Sequence, residues 1–246
     1  MKFTIGITTF SKRFNYVETL IDQIRSFVDY PIILVINGEK DGSTDDNYLK
    51  NILNLCQKYP QIYPTIFLET RGLSKMWNTI VVQSFYDNIM ILNDDIEIKS
   101  NHVFDAAEQI FNNPNFQGIC KINSSFSHFL VDKKVIESLN YFDERLLGFG
   151  EEDGDITYQM LKLNKTIDNV YCNGVINIIS DVRHDHITSG IGKYSKFNRD
   201  FIYGQKYLTD YSSNLRGMFD TPMKEQLLNN DQYPCEIFFR NNKSKI

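Results

Sequence analysis

The sequence predicts an α/β fold, a single domain with a mostly parallel central sheet covered by helices. Two observations carry this. Through the first hundred residues, short apolar runs rich in Ile and Val alternate with longer stretches whose apolar residues recur at helical spacing. Each apolar run also stops abruptly at turn chemistry, as residues 32–36 do at Asn37-Gly38. Strands separated by helices of this length are joined by crossovers, and a sheet covered on both faces has continuously apolar strands.

Taken in order, residues 3–9 read as a buried strand. Residues 17–28 read as a helix, with Val17, Leu20, Ile21, Ile24 and Val28 along one face. Pro31 punctuates, then 32–36 is a strand, 48–59 a helix, 65–68 a short strand and 74–86 a helix. Residues 88–92 form another apolar strand that stops at Asn93-Asp94-Asp95. The second half is less regular. A helix is expected at 102–111, strands at 118–122 and 127–131, and a short helix at 133–139. A glycine-rich stretch at 147–155 runs into a helix at 156–163, and 169–179 is strand-like. A polar loop at 180–193 holds two of the four histidines, followed by an aromatic-rich helix at 196–208. The pattern weakens past Asp210, so the domain is expected to span 1–210, with 211–246 as a C-terminal extension.

Bulk composition narrows the function. A net charge of −5 argues against nucleic acid as a partner, because phosphate neutralisation needs a basic surface. The four cysteines, Cys56, Cys120, Cys172 and Cys235, are far apart and form no CxxC pair, so they offer neither a zinc site nor a disulfide framework. Scattered thiols suit a reducing compartment, most simply the cytoplasm. No signal peptide and no run of apolar residues long enough to span a membrane is visible, leaving peripheral membrane contact as the closest approach expected.

In open α/β sheets, ligands bind beyond the carboxyl ends of the strands, so the polar residues there matter most: Thr8-Thr9, Asn37 and Asn93-Asp94-Asp95. An apolar strand that delivers Asp94 and Asp95 to its end suits a hard divalent cation, which takes one or two carboxylates and the rest of its oxygens from water and phosphate. Turn chemistry alone also accounts for the string. In Gly148–Asp155, GFGEEDGD, successive acids repel one another unless something uses them. The flanking glycines let the backbone turn tightly. Stabilisation by a helix dipole explains the acids but not the three glycines. Arg183–His186, RHDH, offers histidines that could ligate a metal or stand solvated in a loop.

In this order the motifs resemble the GT-A glycosyltransferases, family 2-like, with a C-terminal half similar to the β-1,4-galactosyltransferases. The residues that carry the resemblance are TTF after the first strand, the acidic pair near 93, FDE at 142–144, GFGEEDGD with Ile156, and the late histidine loop. Asp41–Asp45, DGSTD, and Arg71–Asn78, RGLSKMWN, add to it. Asn93 stands where the family's Asp-x-Asp motif has its first Asp, and DGSTD lies a few residues late.

The resemblance implies a Rossmann-like GT-A domain, with a nucleotide-donor half at about 1–100 and an acceptor half at 101–210. It implies a divalent metal, Mn2+ or Mg2+, held by Asp95 and by His184, with His186 as the alternative. It assigns Thr8, Thr9, Phe10, Asn37 and Asp94 to the nucleotide-sugar donor. Asp153 becomes the base and Glu152 a contact for a glycan or glycolipid acceptor. Like charges around Asp153 would favour its work as a base. Trp77 could stack on a sugar, although a core position suits the only tryptophan better. The implied reaction is inverting transfer from a UDP-sugar to a hydroxyl, in the setting of surface glycan synthesis. Two other classes compete. A metal-dependent nucleotidyl- or phosphotransferase would release nucleotide monophosphate, but the sequence has no glycine-rich phosphate loop with its lysine. A non-catalytic carbohydrate-binding protein would bind without turnover, indifferent to Asp153→Asn.

Overall fold

The computed structural model describes residues 2–10, 13–38, 45–178, 191–202 and 206. The elements run β1 (Thr4–Phe10), α1 (Phe14–Phe27), β2 (Ile32–Asn37), α2 (Asp46–Lys58), β3 (Ile62–Ile66), α3 (Leu73–Gln83), β4 (Asn88–Asn93) and β5 (Ile96–Ile98). They continue with α4 (His102–Phe111), β6 (Ile119–Ile122), β7 (Ser125–Asp132), α5 (Lys133–Ser138), α6 (Glu152–Lys162), β8 (Asp168–Val170), β9 (Val175–Asn177) and α7 (Ile191–Phe201). The described residues fall into two compact units. One draws on Met1–Thr70, Thr79–Val135 and Ile167–Ser180, the other on Arg71–Asn78, Ile136–Thr166 and Asp181–Ile246.

The first unit carries the strands. Seven form one sheet in the order β3-β2-β1-β4-β7-β6-β8, and β5 and β9 pair antiparallel as a separate ribbon. The pairings β1–β2, β2–β3, β1–β4 and β6–β8 are parallel, while β7 runs antiparallel to β4 and β6. The mostly parallel sheet expected from the sequence is therefore present. Its central strands are buried along most of their length, every residue of β2 included, as burial on both faces requires. α1 lays Val17, Leu20, Ile21 and Ile24 on this sheet. Gly6 lets α3 approach the other way, since a Cβ there would lie 2.2 Å from Ile80 Cγ2. Pro64 in β3 can donate no ladder bond and sits, as it must, on an edge strand. Asn123 and Ser124, both at positive φ, make the two-residue turn between β6 and β7.

Several boundaries differ from the sequence reading, among them the start of α7 at Ile191 rather than 196. β3 begins at Ile62 rather than residue 65, because its register follows β2, with Ile32 opposite Ile62 and Ile36 opposite Ile66. The strand expected at 169–179 breaks into β8 and β9 around Gly174, whose φ is +95°. α6 begins at Glu152 instead of 156, so the acidic string is its first turn rather than a loop before it. Carboxylates are favoured in that turn by the helix dipole.

In the second unit Met76, Trp77, Leu146, Leu147, Ile156, Met160 and Phe201 are buried. Cys56, Cys120 and Cys172 are free thiols. No helix among the described residues is long and apolar enough to cross a membrane.

Candidate active site

The first unit gathers polar groups at the carboxyl ends of β1 and β4. These strands are parallel neighbours with Thr8 opposite Asn93, so the residues that follow each strand emerge together. The Thr8 hydroxyl donates to Asn93 Oδ1 at 3.2 Å. Thr9 is fully buried and donates to Asp94 Oδ2 at 2.8 Å. The Tyr48 hydroxyl, reaching from α2, lies 3.1 Å from Thr9 Oγ1. Arg13 Nη1, from the start of α1, donates to Asp94 Oδ1 at 2.6 Å and stands 3.5 Å from Asp95 Oδ2. Burial pushes the Asp94 carboxyl up to about 6, with Arg13 opposing and Asp95 adding to the rise. At neutral pH Asp94 is thus an anion held by one guanidinium and one hydroxyl.

Asp94, expected from the sequence to contact the donor, is bonded here to Thr9 and Arg13. With 1% exposure and both oxygens committed within the protein, it braces the end of β1 against the turn after β4. Asp95 differs. Its Oδ1 is buried and has no hydrogen-bond partner among the described residues. An ionised oxygen left this way is costly unless a cation or donor meets it. A hard cation such as Mg2+ or Mn2+ needs one such carboxylate when phosphate and water complete its shell. Asp95 therefore fits as one protein ligand of such an ion. No three His, Cys, Asp or Glu side chains converge on a common point among the described residues. His184, His186 and the 41–44 part of DGSTD lie outside the described residues. Asp45 caps α2, accepting from the Tyr48 amide at 3.0 Å. Asn37 is buried and accepts from the Gly38 amide, while Phe10 remains 40% exposed beside the strand end.

The second unit holds the other acidic segment. Gly148 and Gly150 take φ of +58° and +113°, conformations that glycine adopts freely. Glu151 follows at φ +75°, a left-handed conformation for a residue with a side chain, at a cost of about 1–3 kcal/mol. α6 then begins, with Glu152, Asp153 and Asp155 in its first turn. The three acids have separate fates. Asp153 is exposed, its carboxylate accepting from the Gly154 amide at 2.9 Å. Asp155 is buried and meets Lys206 Nζ at 2.7 Å through both oxygens. Glu152 is 4% exposed, Oε2 accepting from the Gly150 amide at 2.5 Å and Oε1 meeting no partner among the described residues. Burial, helped by Asp153 and Glu151, pushes the Glu152 carboxyl up to about 8. Glu152 is thus protonated at neutral pH.

Around this turn the second unit is tied by polar groups that sequence reasoning left out. Burial would raise the Asp143 carboxyl, but Lys206 and Arg145 together hold it well below the carboxylate range. Lys206 Nζ bridges Asp143 at 2.8 Å and Asp155 at 2.7 Å. Asn78, the last residue of RGLSKMWN, donates to the Phe142 carbonyl and to Glu144 Oε1 and accepts from the Phe142 amide, at 2.8, 2.9 and 3.0 Å. Two of the strings that suggested the family are thereby in contact. Trp77 is 2% exposed with its ring against Phe142, centroids 5.0 Å apart. That is the core position that the sequence favoured for it. Arg13 was visible as a basic residue after the first strand, but nothing in the sequence pairs it with Asp94.

The first unit's sheet, with β1, β2 and β4 parallel and an acidic turn beyond β4, gives the chain the GT-A fold. Solved structures bear out the fold. The mannosyltransferase PcManGT from Pyrobaculum calidifontis, in complex with GDP-Man and Mn2+, matches with a TM-score of 0.56 and 12% identity over 70% of this chain and 55% of its own. Glucosyl-3-phosphoglycerate synthase from Mycobacterium tuberculosis, in complex with Mn2+, UDP and glucosyl-3-phosphoglycerate, matches with a TM-score of 0.57 and 11% identity over 82% of this chain and 79% of its own. S. aureus TarS matches with a TM-score of 0.54 and 16% identity over 71% of this chain. The chain spans about half the length of the mannosyltransferase and 36% of TarS. No family model matches the sequence, and no curated protein matches it.

Proposed function

We propose that the chain is a metal-dependent glycosyltransferase, moving a sugar with inversion from a nucleotide diphosphate sugar, a UDP-sugar, to a hydroxyl of a glycan or glycolipid acceptor. One observation carries this reading. Asp95 Oδ1 is a buried carboxylate oxygen with no partner among the described residues, at the carboxyl end of a parallel strand. It stands in a fold whose solved neighbours were crystallised with Mn2+ and GDP-Man or UDP.

Asp95 would hold the ion, Mn2+ or Mg2+, with His184 or alternatively His186 as a second ligand. The ion when bound supplies Lewis-acid neutralisation of the diphosphate leaving group. Arg13 and Thr9 keep Asp94 in place, and Asp94 fixes the turn that presents Asp95. Thr8, Phe10 and Asn37 are the donor contacts in this reading, and Thr9 acts through Asp94. Asp153, exposed in the first turn of α6, takes the proton of the acceptor hydroxyl. The acceptor oxygen bonds to the anomeric carbon as the bond from that carbon to the diphosphate oxygen breaks. Protonated Glu152, with Oε1 unpartnered among the described residues, donates a hydrogen bond that orients the acceptor. Surface glycan synthesis at the cytoplasmic face of a membrane is the setting this chemistry suits.

The test is a panel of UDP-glucose, UDP-galactose, UDP-N-acetylglucosamine and GDP-mannose, assayed for slow hydrolysis with Mn2+ or Mg2+ and with chelator. Turnover of one donor that chelator abolishes is expected. Asp95→Ala should weaken Mn2+-dependent UDP binding in calorimetry, and Asp153→Asn should abolish turnover while leaving UDP binding intact. Full activity in chelator removes the metal role, and unchanged turnover by Asp153→Asn removes the base.

A further inference from the structure

The loop that leads into α6 is held from outside by α7. Asn198 is fully buried and spends its whole side chain on that loop. Its Oδ1 accepts from the Leu147 amide at 2.8 Å, and its Nδ2 donates to the Leu147 carbonyl at 2.9 Å and the Gly150 carbonyl at 2.8 Å. The next residue, Arg199, reaches Glu151 Oε1 through Nε at 3.2 Å and Nη2 at 2.9 Å. From the other side, the Leu73 amide donates to the Gly148 carbonyl at 2.7 Å. A Cβ on Gly72 would fall 2.5 Å from the Leu146 carbonyl oxygen. The loop thus has three left-handed residues, one of them Glu151 with a side chain, and each is flanked by a bond from a neighbouring segment. A strained conformation persists only where its surroundings over-determine it. Here they fix the entry of α6, including the Gly150 amide that grips buried Glu152.

We propose that Asn198, assisted by Arg199, is a positioning residue for transfer: it holds the 147–151 loop so that Glu152 and Asp153 stand in their working geometry. This rests on the roles given to those two acids above. A purely structural role would cost stability alone. A positioning role predicts a loss in the chemical step with nucleotide binding unchanged, because displacement of a reacting group by about 1 Å costs on the order of 100-fold in rate.

The experiment uses the full chain. Wild type, Asn198→Ala, Asn198→Asp and Arg199→Ala are compared for Mn2+-dependent hydrolysis of whichever panel donor the wild type turns over, with kcat and KM separated. UDP affinity is measured by calorimetry and the Leu147 amide by hydrogen exchange. Asn198→Ala is expected to lose Leu147 protection and about 100-fold in kcat, with donor KM and UDP affinity within twofold of wild type. Asn198→Asp, which sets oxygens against two carbonyls, should not rescue it. Arg199→Ala, which removes the bridge to Glu151, should lower kcat severalfold, and it decides the matter if Asn198→Ala fails to fold. A kcat within twofold of wild type in the folded variants overturns the inference and leaves the proposed function standing. A wild-type chain that hydrolyses no donor overturns both.

Discussion

Glu152→Gln should make the protein more stable at alkaline pH and leave it nearly unchanged at pH 5. Glu152 is buried, with one oxygen on the Gly150 amide and the other unpartnered among the described residues. Its carboxyl is pushed from 4.5 up to about 8 by burial first, then by Asp153 and Glu151. Because the folded value lies above the unfolded one, the stability linked to this proton is fully present below pH 4.5 and is lost as pH rises through about 8. At about 1.36 kcal/mol per pH unit, the loss across that window is at most roughly 5 kcal/mol. Glutamine is isosteric with the protonated acid and never ionises, so the variant escapes that loss. Urea unfolding from pH 5 to 9, followed by the fluorescence of the single tryptophan, Trp77, measures it, since that indole is buried in the same unit. Coincident midpoints for variant and wild type at pH 9, or a constant offset at every pH, would refute the reasoning.

His128 predicts the opposite limb. It is 3% exposed on β7, neither ring nitrogen has a partner among the described residues, and burial lowers it from 6.5 to about 4. Its contribution is present above pH 6.5 and lost as pH falls towards 4, about 3 kcal/mol in all. His128→Leu should therefore flatten acid unfolding, and an unchanged acid midpoint by circular dichroism would count against it. Arg13→Ala should leave Asp94 buried without its cation and cost about 3–5 kcal/mol in thermal unfolding at pH 7. A loss below about 1 kcal/mol would mean that water replaces the guanidinium.

Much of the fold was legible because its signals are local. The apolar runs at β1, β2 and β4 announced buried parallel strands, and the helical spacing of Val17, Leu20, Ile21 and Ile24 announced α1. The edge was less legible. Residues 62–66 are exposed at several positions, so their apolar pattern is weak and only pairing with β2 fixes where β3 lies. β5, three residues long and paired with a strand nearly eighty residues away, left no pattern to read.

For the candidate site, residue type and order in the chain singled out Asp94, Asp95, Glu152 and Asp153 as candidates, because strand ends and helix starts are local features. Which acid is free to act was beyond that reading. Asp94 is claimed by Arg13, 81 positions away, and Asp155 by Lys206, 51 positions away. Asn198 reaches the loop before α6 across the same 51 positions. Desolvation, too, belongs to the packed state: adjacent in sequence, Glu152 turns inward and Asp153 outward. A chain can write the polarity of its strands and the capping of its helices in neighbouring residues. The partner of a buried charge is chosen only when distant segments pack.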